Sequence, residues 1–273
     1  RGISSLLAPV PPLGHSARRR GSGPASDQRV SATDRQPSGH RARPIRLRHR
    51  VKRPLLRWLL GLLSLAARTL PLRLLHFLGD ALGEAAILVA ARRLRLADQN
   101  LRQVFGDRLT AQERRRILSF SVRNTCKTAL ELLRLPTMSD AEFNRLVAFA
   151  NPEVLDEVAA LGRGAIVITA HFGNWEMLAA AIAKHGHRLV VLANDAPDVP
   201  TAALVNAARR SVGVDVLDRS QVRELFRALQ EGCFVGILPD QRARREGGLV
   251  LNFLGRPART YTGPAALALR TGA

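Results

Sequence analysis

A histidine and a carboxylate separated by four residues stand in the segment Thr169-Ala170-His171-Phe172-Gly173-Asn174-Trp175-Glu176. The apolar run Ala165-Ile166-Val167-Ile168 precedes it, so the segment reads as the end of a buried strand turning into a helix. Imidazole is the side chain best suited to accept a proton near neutral pH. A carboxylate beside it can hold one tautomer and stabilise the imidazolium as it forms. His171 is therefore the candidate general base and Glu176 its candidate orienting group. Five helical steps rotate Glu176 roughly 140° away from His171. The pair can meet only if His171 precedes the first helical turn and Glu176 lies within the helix. A second carboxylate, Asp240 in Leu238-Pro239-Asp240-Gln241, also falls just past an apolar run.

The elements that must position these groups follow from an alternating pattern. A helix over 152–161 leads to a strand over 165–170, and a helix over 175–184 to a strand over 189–192. A helix over 200–211 leads to a strand over 214–217, and a helix over 220–230 to a strand over 234–238. Short apolar strands separated by helices predict an α/β fold with a largely parallel sheet flanked by helices. Ligands of such sheets sit at the carboxyl ends of strands. His171 and Asp240 both fall there, which points to one shared site.

Upstream, residues 92–150 read as amphipathic helices. Thr110-Ala111-Gln112-Glu113 carries a capping-box signature. Leu118, Val122, Cys126, Leu130 and Leu133 recur at helical spacing toward the core, and Arg134-Leu135-Pro136 ends that helix. Residues 51–91 are apolar and sparsely charged. Their first stretch, Leu55 to Ala67, is bracketed by Arg57 and Arg68 and is shorter than the about 20 residues a spanning helix needs. It reads as a membrane-associated interfacial helix, or as a span whose arginines snorkel. Residues 1–50 are rich in Arg, Ser, Pro and Gly without apolar periodicity, and are expected to be a disordered basic tail with no signal peptide.

The net charge of +20 raises nucleic acid as a partner. Much of it lies in the tail, almost all of it is arginine, and aromatic residues make up only 4 %, too few for a stacking platform. The composition therefore favours an anionic membrane surface over nucleic acid. Cys126 and Cys233 form neither a disulfide framework nor a metal spacing and read as buried thiols of a reducing compartment. His185-Gly186-His187 lacks further ligands in the sequence, so no metal and no cofactor is assigned.

The segment His171 to Glu176 resembles the His-x4-Asp/Glu signature of the lysophospholipid acyltransferase superfamily. Its Phe-Gly-Asn-Trp filling is closest to the bacterial lipid A biosynthesis lauroyl/myristoyl acyltransferases. Arg95-Leu96-Ala97-Asp98-Gln99-Asn100-Leu101 through Phe105, the Leu238–Gln241 block, and Phe253-Leu254-Gly255-Arg256-Pro257 with Thr262-Gly263-Pro264-Ala265 resemble further blocks of that family in the same order. The resemblance covers roughly residues 51 to 273. It implies transfer of a fatty acyl chain from an acyl thioester, on acyl carrier protein or coenzyme A, to a lipid hydroxyl, with a lipid A precursor as acceptor. It implies an acyltransferase domain over 92–273 on the cytoplasmic face of a bacterial inner membrane. His171 would deprotonate the acceptor, with Glu176 and Asp240 as the other catalytic residues.

Backbone N–H groups near Gly173 and Asn174 are candidate oxyanion donors. Asn174, Arg209, Arg219, Phe253 and Gly255 are candidate substrate contacts, the arginines because their forks fit phosphate oxygens. One departure bears on the acceptor. Many relatives carry an Arg-Pro pair after the strand 189–192, where this chain reads Ala193-Asn194-Asp195-Ala196-Pro197. The family pattern also continues with more strand and helix past Ala273, which implies a sheet completed beyond it. Two alternatives stand beside the main reading: an acyltransferase acting on another glycolipid or a lysophospholipid, and a non-catalytic membrane-surface protein.

Overall fold

The computed structural model describes residues 48–273 apart from 194–199, 219–220, 242 and 244–247. The chain divides into two units, Arg1–Ile45 and Arg46–Ala273. The expected disordered tail, apart from the backbone of residues 48–50, lies outside the described residues, as does Arg219.

Four parallel strands form the sheet: β1 (Ala165–Ile168), β2 (Leu189–Ala193), β3 (Val214–Asp218) and β4 (Phe234–Ile237), in the order β1-β4-β2-β3. Each apolar run of the sequence becomes one of these strands. Side chains alternate faces along a strand. On β4, Phe234 joins Ala165, Ile182, Leu189 and Val214 on one face, while Val235 joins Val190, Leu225, Leu229 and Leu267 on the other. Helices α6 (Glu153–Ala160) and α7 (Trp175–Lys184) cover the first face. Helices α9 (Val222–Gln230) and α10 (Gly263–Thr271) cover the second. The parallel sheet is thus buried on both sides, as its unbroken apolar strands require. An antiparallel hairpin of β5 (Gly248–Phe253) and β6 (Arg256–Tyr261) stands as a separate two-stranded sheet.

A helical layer packs outside α7. It contains α1 (Arg48–Thr69), α2 (Leu72–Val89), α3 (Ala91–Phe105), α4 (Ala111–Arg134), α5 (Asp140–Leu146) and α8 (Pro200–Arg210). The capping box at the start of α4 forms as expected. The Thr110 side chain accepts from the Glu113 N–H, and the Glu113 carboxylate accepts from the Thr110 N–H. Leu130 and Leu133 of α4 are buried against Ala67 of α1 and Leu75 of α2. Helices α2 and α4 approach closely at Gly83, where an added Cβ would lie 2.7 Å from the Cα of Arg123. Only a residue without a side chain permits that crossing.

The membrane expectation for 51–91 meets a mixed geometry. Trp58, Leu59, Leu62 and Leu65 of α1 and Phe77 of α2 are exposed. Among the described residues, no single helix is long and apolar enough to cross a membrane. The pair Leu72–Val89 and Ala91–Arg108 passes by length and composition together, but is bent by 92°.

Candidate active site

The sheet register builds the site. β1 pairs with β4 so that Ile168 faces Ile237, and the Thr169 N–H donates to the Ile237 carbonyl at 3.1 Å. His171 and Asp240 lie equally far past these two facing residues, so the register alone brings them together. The His171 Nδ1 lies 2.8 Å from Asp240 Oδ1, and the His171 backbone N–H donates to Asp240 Oδ2 at 3.0 Å. The carboxylate thus fixes both the ring and the peptide that carries it. With Nδ1 as the donor to Asp240, Nε2 is left with its lone pair. Gln241 Nε2 approaches that nitrogen at 3.5 Å, and the Trp175 ring meets the imidazole edge-to-face at 5.1 Å. The imidazole is about one-third exposed, which leaves it open to a reactant.

Glu176 does not take the position expected of it. His171 precedes α7, as the spacing demands, but Glu176 lies on the buried side of the first turn, 7 % exposed, and faces α8. Its two oxygens accept from Arg209 Nε at 2.9 Å and Nη2 at 2.7 Å, and one also accepts from the Trp175 indole N–H at 3.0 Å. A carboxylate buried this deeply needs a cation and hydrogen bonds to compensate its lost hydration. Arg209 supplies a bidentate fork, the strongest such geometry. The structure places Arg209, expected as a phosphate contact, with its guanidinium on Glu176 and on Asn206 Oδ1. The orienting partner of His171 in this structure is Asp240.

Asn174 caps α7, its Oδ1 accepting from the Met177 N–H at 3.0 Å. Its amide nitrogen donates to Glu131 Oε2 at 2.5 Å, and the other oxygen of Glu131 contacts His76 Nε2 at 2.6 Å. The Thr128 hydroxyl donates to the Gly173 carbonyl at 3.4 Å. Helix α4 therefore holds the loop between His171 and α7, and His76 of α2 contacts the Glu131 that does so. Gly173 adopts φ 61°, which aims the chain into the helix start.

Sequence reasoning missed Glu131, His76 and Thr128. The one signal for Glu131 was a carboxylate interrupting Leu130, Leu132 and Leu133. Phe253 and Gly255 fall at the tip of the β5–β6 hairpin. Leu254 and Gly255 both have positive φ there, as a two-residue hairpin turn of the primed type requires. The Arg256 Nε donates to the Gln103 carbonyl of α3 at 2.7 Å, which ties this tip to the outer layer. Burial pushes the thiols of Cys126 and Cys233 above the ordinary range, so neither is poised as a nucleophile.

The family model for bacterial lipid A biosynthesis acyltransferases matches residues 45–273. The chain belongs to this acyltransferase family. Among its relatives, the lipid A biosynthesis lauroyltransferase of Escherichia coli K12 is 27 % identical over 221 residues, covering 80 % of this chain and 71 % of that protein. A phosphatidylinositol mannoside acyltransferase of Mycobacterium tuberculosis CDC 1551 is 30 % identical over 151 residues, covering 52 % of this chain and 47 % of that protein. That of Mycolicibacterium smegmatis is 27 % identical over 149 residues, covering 52 % of this chain and 48 % of that protein. The match thus spans about half the length of the mannoside acyltransferases. Membership gives the reaction class, acyl transfer.

Proposed function

We propose that this protein transfers a fatty acyl chain from an acyl thioester, carried by acyl carrier protein, to a hydroxyl of a lipid A precursor at the cytoplasmic face of a bacterial inner membrane. The observation that carries the chemistry is the two-point hold of Asp240 on His171. It leaves Nε2 free to accept the hydroxyl proton while Nδ1–H stays with the carboxylate. The acceptor oxygen attacks the thioester carbonyl, and the tetrahedral oxyanion is met by the N–H groups at Gly173 and Asn174, beside the positive end of α7. The intermediate collapses by breaking the carbon–sulfur bond, and the imidazolium returns its proton to the departing thiolate. No covalent acyl-enzyme is needed. Glu176 acts through Arg209, by fixing α8 against the start of α7. The exposed apolar residues of α1 and α2, with Arg57 and Arg68 beside them, suit contact with an anionic bilayer.

The lauroyltransferase relative aligns over more of this chain than the mannoside acyltransferases do, which favours a lipid A precursor as acceptor. A mannosylated glycolipid is the second reading. It is favoured by the slightly higher identity of that relative and by the stretch Ala193-Asn194-Asp195-Ala196-Pro197 after the strand 189–192, which departs from the Arg-Pro pair of many relatives. The test supplies acyl-loaded acyl carrier protein or acyl-CoA to membranes containing the protein, with a tetra-acylated lipid A precursor or a phosphatidylinositol mannoside. Wild type and His171→Ala are compared. Transfer to the lipid A precursor that vanishes in the variant supports the proposal. Transfer only to the mannoside moves the acceptor to the second reading. Transfer retained by His171→Ala overturns the base assignment.

A further inference from the structure

The end of the sheet opposite the active site carries a cluster that the acyl-transfer chemistry does not use. Asp156 projects from α6, His185 caps the C-terminus of α7, and His187 enters β2. One ligand atom from each lies within 4.8 Å of the others. His187 Nε2 is 3.1 Å from Asp156 Oδ1, and His185 Nε2 is 3.5 Å from Asp156 Oδ2. In sequence the two histidines lacked a third ligand; the packing of α6 beside the α7–β2 turn supplies it.

We propose that Asp156, His185 and His187 bind a divalent transition-metal ion of the zinc type, as a structural clasp between α6 and the α7–β2 turn. The separation of the contacts is the first support. Ligands held about 2.0–2.1 Å from one tetrahedral ion stand roughly 3.3–3.4 Å apart, and the two nitrogen–oxygen contacts, 3.1 and 3.5 Å to the two oxygens of Asp156, lie on either side of that value. The second support is independent. His187 Nε2 is buried and, despite its 3.1 Å approach to Asp156, has no hydrogen-bond partner among the described residues. A ring nitrogen close to a carboxylate oxygen but not directed at it is what two ligands aimed at a common third point produce. Buried polar atoms are otherwise nearly always satisfied.

The rings are also held in place. The imidazole of His187 stands edge-to-face on the core residue Phe234 at 4.8 Å, and that of His185 on Phe149 at 5.8 Å. Two imidazoles and one carboxylate form a donor set that suits zinc better than the oxygen-seeking magnesium or calcium, with a water completing the fourth position. Because the strands are parallel, this site lies at their amino ends and the His171 site at their carboxyl ends, so the two are separate.

The test uses the full chain without a histidine tag, stripped with chelator, and Co2+ as the optical probe for Zn2+. The expected result is one Co2+ per chain with the visible absorption of a tetrahedral site, displaced by Zn2+, and a rise in thermal midpoint on Zn2+ addition. Asp156→Asn and His185→Gln change exposed side chains and keep the fold. Each is expected to weaken binding by at least about tenfold and to abolish the thermal rise. His187→Gln should do the same. Failure of the wild type to bind Co2+, or binding unchanged across the three variants, overturns the proposal. Acyl transfer is not the readout, so the result is independent of the acceptor.

Discussion

Asp240 holds His171 at two points, one oxygen on the ring nitrogen Nδ1 and the other on the backbone N–H of the same residue. The ring is thereby fixed in tautomer and direction before any reactant arrives. Asp240→Asn keeps the shape of the side chain but removes the charge, and the amide can present an N–H to the nitrogen it should accept from. If His171 is the base, this variant lowers kcat by about 10²–10⁴-fold, with little change in thermal midpoint. His171→Ala falls to the same floor, and the double variant is no worse than either, because the two act as a unit. Turnover within tenfold of wild type in Asp240→Asn would remove Asp240 from the mechanism.

Glu176 and Arg209 form a buried pair, 7 % and 17 % exposed, that joins the first turn of α7 to α8. Removing one partner strands the other charge, which costs about 3–5 kcal/mol, whereas replacing both by apolar residues is often nearly neutral. Arg209→Met alone is therefore expected to lower stability more than the Glu176→Leu, Arg209→Met double variant. Chemical denaturation of the three proteins checks this order. A phosphate-binding role for Arg209 predicts instead that Arg209→Met leaves stability untouched and raises the KM for the donor or acceptor.

Much of this architecture was legible because its signals are local. The strand starts at Ala165, Leu189, Val214 and Phe234, the span Trp175–Lys184 of α7 and the capping box at Thr110 each follow from a short apolar run or a cap. The shared strand-end position of His171 and Asp240 was legible for the same reason. The order β1-β4-β2-β3 was not, because it depends on which distant strands pair. That order makes Asp240 the neighbour of His171. The partner of Glu176 was hidden likewise. A His-x4-Glu spacing invites a local pair, and only the packing of α8 shows that burial has given Glu176 to Arg209. His185-Gly186-His187 looked inert because Asp156 lies a strand and a helix away in sequence.

Acid sensitivity should localise to the α3–α4 contact. Asp98 accepts from Arg114 Nε and Arg102 Nε, both at 2.8 Å, and the Arg114 hydrogen bond foremost holds its carboxyl below the usual range. The backbone N–H of Thr110 does the same for Glu113. A folded-state value below the unfolded one gives stability that is present above the unfolded pKa of about 4 and is lost as pH falls through the folded value. Asp98→Asn removes this contribution. Its stability at neutral pH is therefore lower than wild type, and its loss below about pH 4 is shallower. Parallel slopes for the two proteins in thermal unfolding between pH 5 and pH 2.5 would show that Asp98 is not a source of the acid sensitivity.

The contact between Glu131 and Asn174 ties the loop between His171 and α7 to α4. Asn174 spends its oxygen on capping α7 and its amide on Glu131, while Glu131 reaches His76 with its second oxygen. Asn174→Asp keeps a capping oxygen but sets a carboxylate against the carboxylate of Glu131. It is expected to lower activity at least tenfold, and what stability it loses comes from the opposed carboxylates rather than from the cap. Asn174→Ala loses both roles and should cost about 1 kcal/mol in stability as well as activity. Glu131→Gln restores a neutral partner for Asn174→Asp, and the pair together should recover part of the lost kcat. Additive losses in that cycle would mean that Glu131 and Asn174 act separately, and that the outer helices do not position the loop through this bond.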